Sequence, residues 1–379
     1  MKNLSHNARS FRRRTFTTIA GLSAVALLFT GCARPSDTPQ TDDPAKFFAG
    51  KTIRWIVPFE AGGGTDTSAR ALSALLSEHI PGKPKIQIEN IEGGNGVLGS
   101  NEFAQSDPNG LTILLTSSST NNAVLFGDPA VKFNFADFTP IVGIPAGGAQ
   151  YVAPSTKITK PLELWDSATP FVYGGITPGG GEFPRILAMD MLGLNVEHVW
   201  GYQSRSAVQI AFSQGEVNID GQSTAAYLES IAPLVERGEA TPVYTAGLMK
   251  DGELVRDPAF PDVPHAVELY EEKYGKLPDS KLLEAFKFLI LTGQNLQKQL
   301  WVQDDAPQVA IEAYRQAFVD MQKDPEFEAV RAALGGYDLL MGGALESDVE
   351  SALLNPPRDI IDWLAQYAKT EYGADLSRG

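Results

Sequence analysis

Ile53-Arg54-Trp55-Ile56-Val57-Pro58-Phe59-Glu60-Ala61-Gly62-Gly63-Gly64-Thr65-Asp66 reads as a strand, a glycine turn and a helix start. Ile53 to Val57 are mostly apolar and β-branched, as in a buried strand. Pro58 ends that strand, and three glycines let the backbone approach a ligand closely. Thr65 or Asp66 is expected to cap a helix running to about His79, with Ala69, Leu72, Leu75 and Leu76 on one face. Bare glycine amides beside a helix N-terminus attract anions, because unpaired N–H groups and the helix dipole point outward.

The device recurs. Phe171 to Gly175 reads as a second strand, followed by Ile176-Thr177-Pro178-Gly179-Gly180-Gly181 and a helix from about Glu182 to Met191. Around each copy, strands alternate with helices, which implies parallel strands joined by crossover helices in two similar lobes. Leu111 to Thr116 is expected to be a strand ending in Ser117-Ser118-Ser119-Thr120, and the apolar run Phe286 to Leu291 another strand. Asp257 to Pro264 is proline-rich and reads as a connection between lobes. If the two glycine turns face each other across a cleft, two sets of amides meet one anion.

The first 31 residues are read as a leader. Met1 to Phe16 carries Lys2, Arg9, Arg12, Arg13 and Arg14, and Thr17 to Thr30 is apolar but too short to span a membrane stably. Phe29-Thr30-Gly31-Cys32 resembles a lipoprotein cleavage box, with Cys32 as the acylated residue. Arg13-Arg14 is either a twin-arginine export signal or a chance pair in a basic leader. Cys32 is the only cysteine, so no intrachain disulfide can form, and its position points to an anchor rather than a nucleophile. Residues 33–50 read as a flexible tether. Without the leader's five basic residues, 26 basic face 46 acidic side chains. That balance opposes binding to nucleic acid or to anionic lipid.

The search for catalysis is negative. His79, His198 and His265 sit in no metal-like spacing, and neither a Gly-x-Ser-x-Gly elbow nor a Walker A loop is present. Asp304-Asp305 fits a polar loop better than a paired-carboxylate site. The expected protein is therefore not an enzyme, has no metal and needs no cofactor.

The segment Ile56 to Asp66, with Arg70, resembles the opening signature of the Bug-type solute receptors, the extracytoplasmic binding proteins of tripartite tricarboxylate transporters. Glu89-Asn90 with Gly93 to Gly99, and Asp107 to Leu114, are similar to the second and third signatures. Tyr202 with Gly215-Glu216-Val217, and Pro261 to Pro264, resemble later patterns. The resemblance implies a two-lobed α/β fold like the type II periplasmic binding proteins. Each lobe would hold a mixed, mainly parallel sheet flanked by helices. Residues 51–147 and 262–379 would form one lobe and 148–261 the other, after the leader (1–31) and tether (32–50). It further implies a small carboxylate held in the interlobe cleft by main-chain amides and waters of the loops 59–66 and 177–182. The ligand-binding residues expected are Phe59, Gly62, Gly63, Gly64, Thr65, Asp66, Thr177, Gly179, Gly180, Gly181, Glu182 and Tyr202. Ser117, Ser118 and Gln222 would add side chains.

Glu182, Arg185 and the run Trp200 to Arg205 depart from the family pattern. Glu182 could face a ligand amine or hydroxyl while Arg185 or Arg205 pairs with a second anionic group; a bland alternative is an exposed ion pair of small worth. The leading expectation is a monomeric, lipid-anchored receptor facing the periplasm or cell exterior, which delivers its ligand to membrane permease subunits. A sensor that presents its closed form to a signalling partner is the second reading, and an exported enzyme on the same scaffold the third.

Overall fold

The computed structural model describes residues 41–178 and 181–376. The leader, Cys32, and the glycines Gly179 and Gly180 lie outside the described residues. The chain opens with α1 (Pro44–Phe48), whose Phe48 is fully buried against Tyr314, so residues 44–48 pack on the core and are not part of the expected tether. Strands and helices then alternate: β1 (Thr52–Val57), α2 (Gly64–His79), β2 (Lys85–Asn90), α3 (Val97–Ala104), β3 (Thr112–Ser117), α4 (Ser118–Leu125) and β4 (Phe138–Ile144). Then come β5 (Gly148–Val152), β6 (Phe171–Gly175), α5 (Phe183–Met191), β7 (Val196–Trp200), α6 (Arg205–Gln214), β8 (Ile219–Ser223) and β9 (Thr241–Thr245). The last part holds a small ribbon, β10 (Leu248–Lys250) and β11 (Glu253–Val255), with α7 (Ala266–Tyr274), α8 (Ser280–Ile290), β12 (Lys298–Gln303), α9 (Gln308–Met321), α10 (Phe327–Ala333), α11 (Gly342–Val349) and α12 (Arg358–Tyr372).

Two five-stranded sheets result, in the orders β2-β1-β3-β12-β4 and β7-β6-β8-β5-β9. In each, four strands run one way and one, β12 or β5, runs against its neighbours. The same layout therefore occurs twice, in keeping with the repeated strand–glycine–helix device. β1 lies inside its sheet between β2 and β3, and its Ile53, Trp55, Ile56 and Val57 are all fully buried. On one face of its sheet, Leu72 and Leu76 of α2 meet Tyr314 and Phe318 of α9 in one apolar cluster. Burying side chains of that size contributes on the order of 1.5–3 kcal/mol each. The helices of the last third are not confined to one sheet, since α8 packs on both α5 and α12.

Three further local expectations are corrected. Phe286 to Ile290 lies in α8, not in a strand. Asp279 caps that helix by accepting from Lys281 N and Leu282 N, and Ala285, Phe286, Phe288, Leu289 and Ile290 are buried. A short run that is apolar on every side carries no period with which to tell helix from strand. Ser118 to Thr120 begin α4, with Ser117 as its N-cap, and do not extend β3. The N-cap of α2 is Gly63, with no side-chain cap bond, so neither Thr65 nor Asp66 caps it.

The sheets join through Pro145-Ala146-Gly147 between β4 and β5. Beside this joint, the buried Asp257 accepts from Tyr337 Oη at 2.8 Å, Ala259 N at 3.0 Å and Gly148 N at 3.2 Å. Tyr337 Oη also meets Thr224 Oγ1. A Cβ on Gly147 would overlap Asp257 and Tyr337, so the glycine is what admits this network. Burial pushes the Asp257 carboxyl up, against the lowering effect of the Tyr337 bond.

Candidate functional site

The carboxyl ends of β1, β3, β6 and β8 lead into the segments that line one cleft of about 660 Å³. Sites at the carboxyl ends of sheet strands are the rule in open α/β folds.

One wall is built by α2, α4 and β12. Gly64, the first residue of α2, lines the cleft, and the Gly63 cap has no side chain to occupy the amides there. Ser118 and Ser119 open α4 on the same wall. Register supplies a cation: Lys298, at the start of β12, lies opposite Ser117 of β3. The residue is half-buried, and its Nζ donates to Gln297 Oε1 at 2.6 Å and has no carboxylate partner among the described residues. Burial pushes this ammonium down to about 8.

The facing wall holds Glu182, Arg185 and Arg205. Glu182 is 3% exposed, and its Oε1 accepts from Ile176 N at 3.2 Å and from Arg205 Nη1 at 3.3 Å. Arg205 Nη2 bonds the Asp220 carboxylate and also donates to Gly221 O at 3.0 Å. Asp220 is fully buried and accepts from Tyr151 Oη at 2.8 Å. Burial pushes its carboxyl up, opposed by the positive charge of Arg205. Arg205 is therefore committed to two internal acids. Its pair with Glu182 is not an exposed one. Arg185 donates to Gly181 O at 3.3 Å and has no carboxylate within ion-pair distance among the described residues.

The residues expected from sequence fall in four places. Gly62, Gly64, Ser118, Gly181 and Glu182 line the cleft. Phe59, Gly63 and Thr65, with Gly64 again, line a neighbouring hollow of about 590 Å³ that includes Asn95 and Gly96. Thr177 borders a further chamber. Asp66, Ser117, Tyr202 and Gln222 stand behind the walls. Ser117 Oγ accepts from Ser119 N, Tyr202 packs in the apolar cluster around Tyr151 and Val208, and Gln222 Nε2 reaches Asp220 Oδ2 at 3.4 Å. Lys298, Ser68, Asn122 and Gln294 also line the cleft and were not anticipated. Lys298 has no signature around it; the only sequence signal was a lysine at the edge of the apolar run Leu300 to Val302.

Asp66 shows how the first loop is held. It is 1% exposed, and its Oδ2 accepts from Gly62 N and Arg70 Nε, both at 2.8 Å, while Oδ1 accepts from Asn90 Nδ2 at 3.0 Å. The bond from Arg70, helped by those from Gly62 and Asn90, holds this carboxyl below its usual range. A depressed carboxyl contributes stability above the unfolded pKa and loses it as pH falls through the folded one. Asp66→Ala removes a buried carboxylate that Gly62 N, Arg70 Nε and Asn90 Nδ2 share, and is expected to cost about 1.5–3 kcal/mol in urea unfolding at pH 7, the worth of a charged hydrogen bond. The difference should shrink as pH falls below about 4, where the unfolded carboxyl protonates before the folded one. An unchanged midpoint at pH 7 would contradict this role.

No protein-family model matches the chain. A UPF0065 protein of Bordetella pertussis is 27% identical over 269 residues, covering 69% of this chain and 76% of that protein. BugT of the same organism is 40% identical over 80 residues, 21% of this chain and 24% of BugT. Among solved structures, a TctC solute-binding protein from Polaromonas superposes with a TM-score of 0.60 at 18% identity, covering 84% of this chain and 98% of that one. That likeness speaks for the fold. Among the described residues, no cluster of His, Cys, Asp and Glu could hold a metal ion, and no helix is long and apolar enough to cross a membrane.

Proposed function

We propose, from the premise that this chain belongs to the UPF0065/Bug proteins, that it is an extracytoplasmic solute receptor which captures a small carboxylate in the cleft between its sheets. The observation that carries the reading is Lys298. It is a half-buried lysine whose ammonium has no acidic partner among the described residues, on the same wall as Gly64 of the open α2 N-terminus and Ser118 of α4. A cation and helix-end amides on one wall are what a carboxylate needs. Closing of the lobes about the joint at 145–147 would bury the ligand. The receptor would be held at the membrane through Cys32, face the periplasm or cell exterior as a monomer, and deliver its ligand to the permease subunits of a tripartite tricarboxylate-type transporter.

A thermal-shift screen of residues 33–379 against mono-, di- and tricarboxylates tests the reading. An acid at about 100 times its dissociation constant should stabilise the fold by roughly 2.7 kcal/mol. Gly64→Pro should abolish the shift while keeping the fold. Proline suits the first helical position and removes its N–H. Gly63 before it is already extended at φ −70°, ψ 167°, and a Cβ on Gly64 meets nothing within 4 Å. A cooperative melt that no carboxylate moves would overturn the proposal.

A further inference from the structure

The cleft continues past Glu182. Ser119, Asn122, Ile176, Gly181 and Glu182 also border a second chamber of about 630 Å³. Its far wall is Trp200 and the C-terminal segment from Tyr372 to Leu376. The two spaces differ in chemistry. Lys298 and Ser118 line only the first, whereas Pro178, Trp200 and Tyr372 line only the second.

Its aromatic wall is rigid. The Trp200 ring rests on Gly175, where any Cβ would overlap it. Tyr372 meets that ring edge-on at 6.3 Å, and its own hydroxyl is fixed on Asp190, which also accepts from Tyr367 Oη at 3.0 Å. Ile176, at the junction, is 36% exposed. Rings held in place before binding favour a flat apolar partner, because little side-chain freedom is lost. The first cleft alone already falls in the range of roughly 300–1,000 Å³ that serves ligands much larger than a short diacid. A second carboxylate within this chamber would lie against Glu182, and no lysine or arginine among the described residues borders it, since Arg185 lines only the first cleft.

We infer that the ligand is a monocarboxylate with an aromatic or similarly flat apolar body, its acid group toward Lys298 and its ring in the chamber bounded by Ile176, Trp200 and Tyr372. This rests on the receptor reading and names its ligand class. Calorimetric titration of the purified protein with propionate, succinate, 3-phenylpropionate and 4-phenylbutyrate tests it. The phenyl acids should bind at least tenfold more tightly than the short acids. Trp200→Ala should collapse that ratio toward one, while Trp200→Phe, which keeps a ring, should retain most of it. Succinate binding as tightly as the phenyl acids, or a ratio untouched by Trp200→Ala in a protein with an unchanged melt, would overturn the inference and leave the receptor reading standing. Binding of neither series would overturn both.

Discussion

Arg205→Met is expected to destabilise the fold by about 3–5 kcal/mol, the usual result of removing one partner from a buried ion pair. Asp220 is 0% exposed and Glu182 3%, and both accept from this one guanidinium. Without it, two carboxylates face each other in the wall of the cleft with little water to solvate them. The native state then gains from protonation, so the deficit should shrink toward acid pH, as linkage requires for a carboxyl whose folded pKa is raised. Adding Asp220→Asn to Arg205→Met should recover part of the loss, because one of the stranded charges is gone. Urea unfolding of the single and double variants measures both effects. A loss under about 1 kcal/mol, typical of exposed pairs, would mean that the network is solvated and has no part in fixing the wall.

Lys298→Met should weaken carboxylate binding by about 1.5–3 kcal/mol, roughly 10- to 150-fold in Kd, the worth of a charged hydrogen bond. The pH dependence is the more diagnostic readout. With the ammonium pushed down to about 8, the ligand-free protein is half-deprotonated near that pH. Affinity should be flat below it and fall by up to tenfold per pH unit above it, since only the protonated lysine pairs with a carboxylate. Stability of the empty protein should move the other way. Between about pH 8 and the usual lysine range near 10.4, the unfolded chain binds more protons than the folded one, so stability rises with pH. Lys298→Met should flatten both profiles. Affinity that stays constant from pH 7 to 9.5 would exclude Lys298 as the ligand's counter-charge.

The two sides of the site differed in how far they could be read beforehand. Gly62 to Gly64 and Gly181 stand out because a strand, a proline and three glycines form one continuous local pattern. Each signal there lies within a few residues of the next. Lys298 had no such neighbourhood. Its place opposite Ser117 is set by the antiparallel pairing of β12 with β3, across a long separation in sequence. The helix α8 was misread for a related reason. Phe286-Lys287-Phe288-Leu289-Ile290 is almost uniformly apolar, and only packing against α5 and α12 decides its period.

By itself, then, the sequence determined two α/β halves, a repeated glycine turn at a helix start, and the absence of familiar catalytic motifs. These follow from local steric and periodic rules. Tertiary structure alone decided which charges meet: Arg205 with Glu182 and Asp220, and Lys298 with no acid among the described residues. Charge pairing depends on distance and burial, and both are set by sheet register between segments that no local pattern connects.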